Sequence, residues 1–236
     1  MVSWEPPPDT SPRMSDPAKR AFDVVIAAAM LVVLAPVMGM IVVLIHLDSA
    51  GPALYRQRRI GRHGVPFTLV KFRTMNNGTS QDLHRQASLD WFEGRPQGRR
   101  YKSGADPRVT RVGRLLRRSS MDELPQLWNV LKGEMSFVGP RPLMEYERSR
   151  FDGWHFEREA VRPGITGLWQ VSGRDRLSAP QMLELDVRYV RERSAWLDLK
   201  IVARTLPAVL SELRRTSNMS DPAEVVTPPS TRPQVR

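Results

Sequence analysis

The stretch Arg117-Arg118-Ser119-Ser120-Met121-Asp122-Glu123-Leu124-Pro125-Gln126 concentrates the residue types that can do chemistry. Two adjacent carboxylates follow two arginines. The ordinary reading is a helix start. Ser120-x-x-Glu123 is a capping box, with Glu123 reaching back to the Ser120 amide, and Asp122 favours the positive helix end. Such boxes are common, so spacing alone favours that reading. The surroundings support a second one. A helix N-terminus binds anions through free amides, and Arg117 and Arg118 can grip phosphate bidentately. A carboxylate in that positive field stays ionised. Ionised Asp can attack a phosphoryl group to form an acyl phosphate. A neighbouring Glu can hold Mg2+ against a diphosphate and screen the like charges. Asp122 and Glu123 are therefore candidate catalytic residues and candidate metal ligands.

Three further segments could bind anions. In Gly139-Pro140-Arg141-Pro142, two prolines fix the backbone around one arginine and would hold its guanidinium at low entropic cost. A surface turn with a solvated Arg is the commoner case. Lys71-Phe72-Arg73-Thr74 ends a predicted strand, and alternation puts Lys71 and Arg73 on one face. Two cations there suit a diphosphate, or make an ordinary solvated face. Arg162-Pro163-Gly164-Ile165-Thr166-Gly167 reads as a structured loop, followed by Gln170, Ser172 and Arg174, which face a polar ligand or solvent.

The elements that must position these groups are partly legible. Leu54–Gln57 and Phe67–Phe72 read as strands, with Gly61 and Gly64 as turn residues. Residues 76–103 are polar and read as a loop with room for a short helix. Asp106-Pro107 is a good N-cap and N1 pair for a helix through Val109, Val112, Leu115 and Leu116. A second helix would run from Ser120 to Gly133, a C′ glycine. Met135–Val138 reads as a short strand. Later helices are expected at Pro180–Glu192 and Leu197–Leu213, the last with an apolar stripe through Ile201, Leu206, Val209, Leu210 and Leu213.

Val24 to Leu47 is almost wholly apolar and carries no charge. That exceeds a signal peptide's h-region of about 7–15 residues and suffices to span a hydrocarbon core, which needs about 20. A spanning helix is the default. A re-entrant hairpin competes, because Pro36 lies mid-run with Gly39 close behind. Lys19 and Arg20 precede the run, and Arg56, Arg58, Arg59 and Arg62 follow it. Positive flanks on both sides favour two cytoplasmic ends, but Pro is tolerated in spanning helices.

Composition sets outer limits. The 236 residues fit one domain with tails, or a small domain plus a membrane segment. The formal net charge of +11 predicts an anionic partner: nucleic acid, lipid headgroups or phosphorylated substrates. The chain has no cysteine, which excludes disulfides, thiolate metal sites and a thiol nucleophile. His46, His63, His84 and His155 are scattered without metal-ligand spacing. The proline-rich ends, 1–17 and 216–236, read as disordered leader and tail. Between them lie a membrane segment, 18–48, and a catalytic domain, 49–215.

Taken together the motifs resemble the bacterial sugar transferases, the monotopic polyprenyl-phosphate phosphoglycosyl transferases. The matching pieces run from about Lys19 to Thr205. They are Lys19-Arg20-x-Phe22-Asp23, Gln57-x-Arg59-x-Gly61-x-x-Gly64, Lys71-Phe72-Arg73-Thr74-Met75 and the contiguous block from Asp122 to Gly133. Met135-Ser136-Phe137-Val138-Gly139-Pro140-Arg141-Pro142 and Arg162 to Gln170 complete the set. The resemblance implies a mixed, helix-rich α/β catalytic domain with amphipathic interfacial helices on the cytoplasmic face of the bacterial inner membrane. It implies a re-entrant helix-break-helix at Pro36, where Ala35-Pro36 replaces the family's usual Ser-Pro. The implied reaction is ping-pong. Asp122 attacks the sugar-bearing phosphate of a UDP-sugar and expels UMP, and undecaprenyl phosphate then takes the phosphosugar. Glu123 assists with Mg2+. Lys71, Arg73, Arg117, Gln126, Arg141 and Gln170 are the implied substrate-binding residues. Membrane phospholipids are the implied surroundings, nucleic acid is not an expected partner, and homodimerisation stays open. The extra helices and accessory domain of larger relatives are not represented, so the chain resembles a minimal catalytic form.

Other functions fit parts of the sequence. A membrane-tethered nucleic-acid-binding protein would use the positive charge, but the arginines cluster with carboxylates and prolines rather than in a base-reading motif. A non-catalytic scaffold conflicts with the intact Asp122-Glu123 pair. A phosphatase would use Asp122 with water as acceptor. The transferred sugar is not legible, and its selection is expected in the loop after Met75 and the segment after Gln170.

Overall fold

The computed structural model describes residues 16–76, 82–94 and 108–218. Most of the expected leader and tail, much of the segment after Met75, and Asp106-Pro107 lie outside the described residues.

Helix α1 (Asp16–Asp48) runs unbroken through Pro36, so the expected interruption is absent: Pro36 sits inside one continuous helix. Its 33 residues, at about 1.5 Å each, make a rod of roughly 50 Å. Ala27, Met30, Leu31 and Leu34 pack against one core cluster, with Phe67, Leu69, Leu127, Val130 and Met135. Val37, Met38, Ile41, Val42 and Ile45 pack against a second, with Ala53, Phe72, Leu116 and Leu124. The three- and four-residue spacing is one helical stripe, docked along nearly the whole rod. Both ends are also pinned. Lys19 pairs with Asp198 at 2.5 Å, and Arg20 donates to the Val130 and Leu131 carbonyls. At the other end Asp48 accepts from the Val112 amide at 2.8 Å. The opposite face leaves Phe22, Val25, Val32, Val33, Met40, Val43 and Leu47 exposed.

Strands β1 (Leu54–Ile60) and β2 (Pro66–Phe72) form an antiparallel hairpin with Leu54 opposite Phe72 and Ile60 opposite Pro66. The turn takes His63 and Gly64 through positive φ, 57° and 73°. Helix α2 (Asp82–Phe92) supplies the short helix expected after Met75. Helix α3 (Arg111–Ser119) is capped by Thr110, whose side chain accepts from the Gly113 amide at 2.9 Å. The helix therefore starts later than the sequence suggested. Gly113 permits the start to seat: a Cβ there would lie 2.1 Å from the Thr74 carbonyl oxygen.

Helix α4 (Gln126–Lys132) ends at Gly133, which takes the left-handed conformation expected of a C′ glycine, φ 84°. Beyond it β3 (Ser136–Val138), α5 (Glu145–Arg148), β4 (Gly164–Thr166), α6 (Leu168–Ser172), α7 (Ala179–Glu192) and α8 (Ala195–Asn218) follow. Strands β3 and β4 pair in parallel. The described residues are mixed and helix-rich, with two small two-stranded sheets among them. The single stripe expected on α8 splits: Ile201 is buried, while Leu206 is exposed with Trp196, Leu199 and Val202.

Candidate active site

The Asp122-Glu123 pair sits on a single 3-10 turn, Met121–Glu123, between α3 and α4. The capping box does not form. Ser120 has φ 57° and makes no side-chain cap bond, and α4 begins three residues after Glu123. A non-glycine residue held at positive φ costs about 1–3 kcal/mol and clusters at functional sites. Here the reversal at Ser120 turns the chain so that both carboxylates face one cleft.

That cleft is lined by Arg59 from β1, Lys71 from β2, Arg117 from α3, and Ser120, Asp122 and Glu123 from the turn. Gln126, Arg141, Trp169, Gln170 and Arg174 complete its walls. Of the residues expected to bind substrate, Lys71, Arg117, Gln126, Arg141 and Gln170 therefore converge with the carboxylate pair. Five cationic side chains face two carboxylates, so the cleft is a basic site. The volume is about 130 Å³. At ~30 Å³ per water-sized group, that suits phosphates, while a whole nucleotide sugar needs the several hundred Å³ of a typical ligand pocket.

Arg73 lies elsewhere. It is 5% exposed and donates to the Ala50 and Ser49 carbonyls, both at 2.7 Å, and to Ser49 Oγ. Strand β2 ends at Phe72, so the alternation that paired Lys71 with Arg73 stops one residue early. Arg73 ties the end of the hairpin to the loop after α1. Arg118, the second arginine before the pair, does not line the cleft.

Lys71 reports how closely these charges meet. Burial brings its ammonium down from 10.5 to about 8, and the neighbouring Arg59 and Arg117 add to that. Asp122 and Glu123 pull the other way. Its cation also sits 5.3 Å from the Tyr55 ring centroid.

The Arg141 mount is more elaborate than two prolines. Gly139, Gly164 and Gly167 press their backbones together. A Cβ on Gly164 would lie 2.1 Å from the Gly139 nitrogen, and one on Gly167 would lie 2.3 Å from the Gly139 oxygen. The amides of Gly139 and Gly164 bond Thr166 O at 3.0 Å and Pro140 O at 2.9 Å. Deeper in, Arg158 and Asp186 form an ion pair, 4% and 1% exposed, at 2.6 Å. Arg158 also donates to the Arg141 carbonyl, and the Arg141 amide donates to Asp186. Burial nevertheless raises the Asp186 carboxyl above its usual range. The Arg141 guanidinium lies 5.6 Å from the Trp169 ring centroid.

Sequence reasoning missed Arg59 and Trp169 as cleft residues. Arg59 lay inside the motif Gln57-x-Arg59-x-Gly61, where its spacing from the turn glycine could have marked it. Nothing in the sequence links Arg158 to Asp186.

The sequence pattern of the bacterial sugar transferases matches residues 14–212. This chain belongs to that family. The exopolysaccharide production protein ExoY of Rhizobium meliloti is similar, 42% identical over 194 residues, covering 81% of this chain and 85% of that protein. The UDP-glucose:undecaprenyl-phosphate glucose-1-phosphate transferase of Caulobacter vibrioides is 41% identical over 216 residues, 85% and 73% of the two chains. The undecaprenyl-phosphate galactose phosphotransferase of Salmonella typhimurium is 40% identical over 192 residues, but only 40% of its length is covered. The matched span of this sugar transferase contains the entire cleft.

Proposed function

We propose that this sugar transferase moves a sugar 1-phosphate from a UDP-sugar to undecaprenyl phosphate, the first committed step of a polysaccharide or glycan. The observation that carries the proposal is the convergence of Asp122 and Glu123 with Lys71, Arg59, Arg117 and Arg141 on one small basic cleft. Similarity to proteins named as undecaprenyl-phosphate sugar phosphotransferases supports the substrate class.

The chemistry follows from the groups present. An Asp122 carboxylate oxygen attacks the phosphorus that bears the sugar. A bond from oxygen to phosphorus forms, the bond to the UMP oxygen breaks, and UMP leaves with that electron pair. The terminal oxygen of the lipid phosphate then attacks the same phosphorus and returns the Asp122 carboxylate. Lys71, Arg117 and Arg141 balance the negative charge gathering on the phosphoryl oxygens. Gln126 and Gln170 supply neutral hydrogen-bonding groups on the walls.

Among the described residues no cluster of three or more metal-ligating side chains occurs. Two adjacent carboxylates still fit Mg2+, which binds through one or two carboxylates plus substrate phosphates and keeps several waters. Asp122 and Glu123 would hold it, and it would supply screening between carboxylate and diphosphate.

We further infer that α1 lies along the membrane surface, with its exposed apolar face in lipid and both ends on the same side. It is long and apolar enough to cross a membrane. Yet its two ends are bonded to the same domain, and one stripe is docked along it. A helix held in this way with its exposed face in lipid keeps both ends on one side, and the basic flanks at Lys19, Arg20, Arg56 and Arg58 suit the cytoplasmic one. The exposed Trp196, Leu199 and Leu206 of α8 suit the interface.

The test uses protein in nanodiscs with Mg2+, undecaprenyl phosphate and a panel of UDP-sugars, with Asp122→Asn alongside. Release of UMP that requires Asp122 and matches a lipid-linked product is expected. Release of UDP would mean ordinary glycosyl transfer and end the proposal.

A further inference from the structure

Arg59 is only 7% exposed, yet it reaches the cleft. Its Nη1 donates to the Pro142 carbonyl at 3.0 Å and its Nη2 to Gln57 Oε1 at 2.7 Å. Nη1 also lies 3.9 Å from Glu147 Oε2. Glu147 itself is wholly buried and does not line the cleft. Its carboxylate accepts from the Met144 amide at 2.7 Å and from Ser88 Oγ at 2.5 Å. Burial pushes this carboxyl up, but Arg141 and Arg59, with those two hydrogen bonds, outweigh it and hold it below its usual range.

One explanation is purely local. A Glu in the first turn of α5 returns to the preceding amide, as caps do, and neutralises a buried arginine. That account leaves two features unused. The arginine that faces Glu147 at 3.9 Å, Arg59, lines the cleft from β1. And Glu147 is pinned by Ser88 from α2, none of whose described side chains lines the cleft. A buried carboxylate beside the Arg59 guanidinium, together with the Pro142 and Gln57 acceptors, holds that side chain in place at the cleft wall.

We propose that Glu147 is a positioning residue that sets Arg59 at the cleft for the substrate diphosphate, and that Ser88 on α2 holds Glu147 in place. The inference rests on the phosphotransfer reading of the cleft. It makes Arg59 a phosphate contact. It also ties the affinity of the cleft to the seating of α2. That helix docks by Ser88, by a Trp91 Nε1 bond to Leu177 O at 3.2 Å, and by Trp91 and Phe92 packed with Trp169 and Leu143.

A double-mutant cycle tests it, read by calorimetric binding of UDP with Mg2+ to the full chain in nanodiscs. Glu147→Gln keeps the side-chain shape and removes the charge. It should weaken UDP binding about ten-fold, the size of one charge-assisted contact. In an Arg59→Met background the same change should cost less than about two-fold, because partners in one network are not additive. Ser88→Ala, the milder variant should Glu147→Gln fail to fold, should weaken UDP about three-fold through the same dependence on Arg59. Equal losses in both backgrounds would overturn the proposal. So would a lower melting temperature with unchanged UDP affinity. Wild-type protein that binds no UDP would bring down the phosphotransfer reading, and this inference with it.

Discussion

At the residue scale, Lys71 is the most informative side chain in the cleft. Its ammonium falls from 10.5 to about 8 on folding, so the folded state binds fewer protons than the unfolded one between those values. Stability should therefore rise with pH across that window, and the full cost of the buried cation is present below about 8. Substrate binding runs the other way. Loss of the charge above pH about 8 removes a cation from the diphosphate, so KM for the UDP-sugar should climb there. Lys71→Arg, which stays charged, should flatten the climb; a wild-type KM that is level to pH 9.5 would contradict this. Arg141 gives a second prediction. Arg141→Lys keeps the charge but loses the planar fork and the contact with Trp169, and should cost about 10-fold or more in kcat/KM. Lys71, Arg141 and the carboxylate pair were legible through the set of motifs that resembles the family, since each alone also had an ordinary reading. It misplaced Arg73 because alternation holds only while a strand lasts, and β2 ends at Phe72. It could not show the Arg158–Asp186 clamp, whose partners lie 28 residues apart on unrelated elements.

At the element scale, the site depends on how short pieces of backbone meet. The Gly139, Gly164 and Gly167 contacts leave no room for a methyl group. Gly164→Ala should destabilise by about 1–3 kcal/mol or more, as overpacking does. Because the backbone that yields carries Arg141, its kcat/KM should fall in protein that remains folded at the assay temperature. An unchanged melting temperature would show that this junction is slack. Thr110→Ala should cost about 1 kcal/mol by uncapping α3, checked by urea unfolding. Legibility differed between elements for physical reasons. Gly133 announced its left-handed conformation because glycine adopts it without penalty. Ser120 adopts the same region at a cost that only tertiary packing can offset, so its sequence suggested a capping box instead.

At the scale of the whole molecule, the placement of α1 bears on how the cleft would meet the proposed lipid acceptor. The sequence left spanning and re-entrant arrangements open because Pro36 suits both; the structure shows a helix unbroken at Pro36, with one docked stripe and both ends pinned to the same domain. The chain has no cysteine, so single cysteines can be introduced at exposed Ala18 and Ala50. An impermeant thiol reagent should label both from the cytoplasmic side; labelling from opposite sides would establish a spanning helix. In the proposed reaction the phosphosugar rides on Asp122 between two half-reactions. Intact-mass measurement of the nanodisc-held protein, given Mg2+ and the UDP-sugar that the panel selects but no lipid acceptor, tests it directly. The account predicts a phosphosugar adduct on wild-type protein, discharged by undecaprenyl phosphate and absent from Asp122→Asn. No adduct, with UMP appearing only once lipid is added, would instead mean direct transfer between substrates and would contradict it.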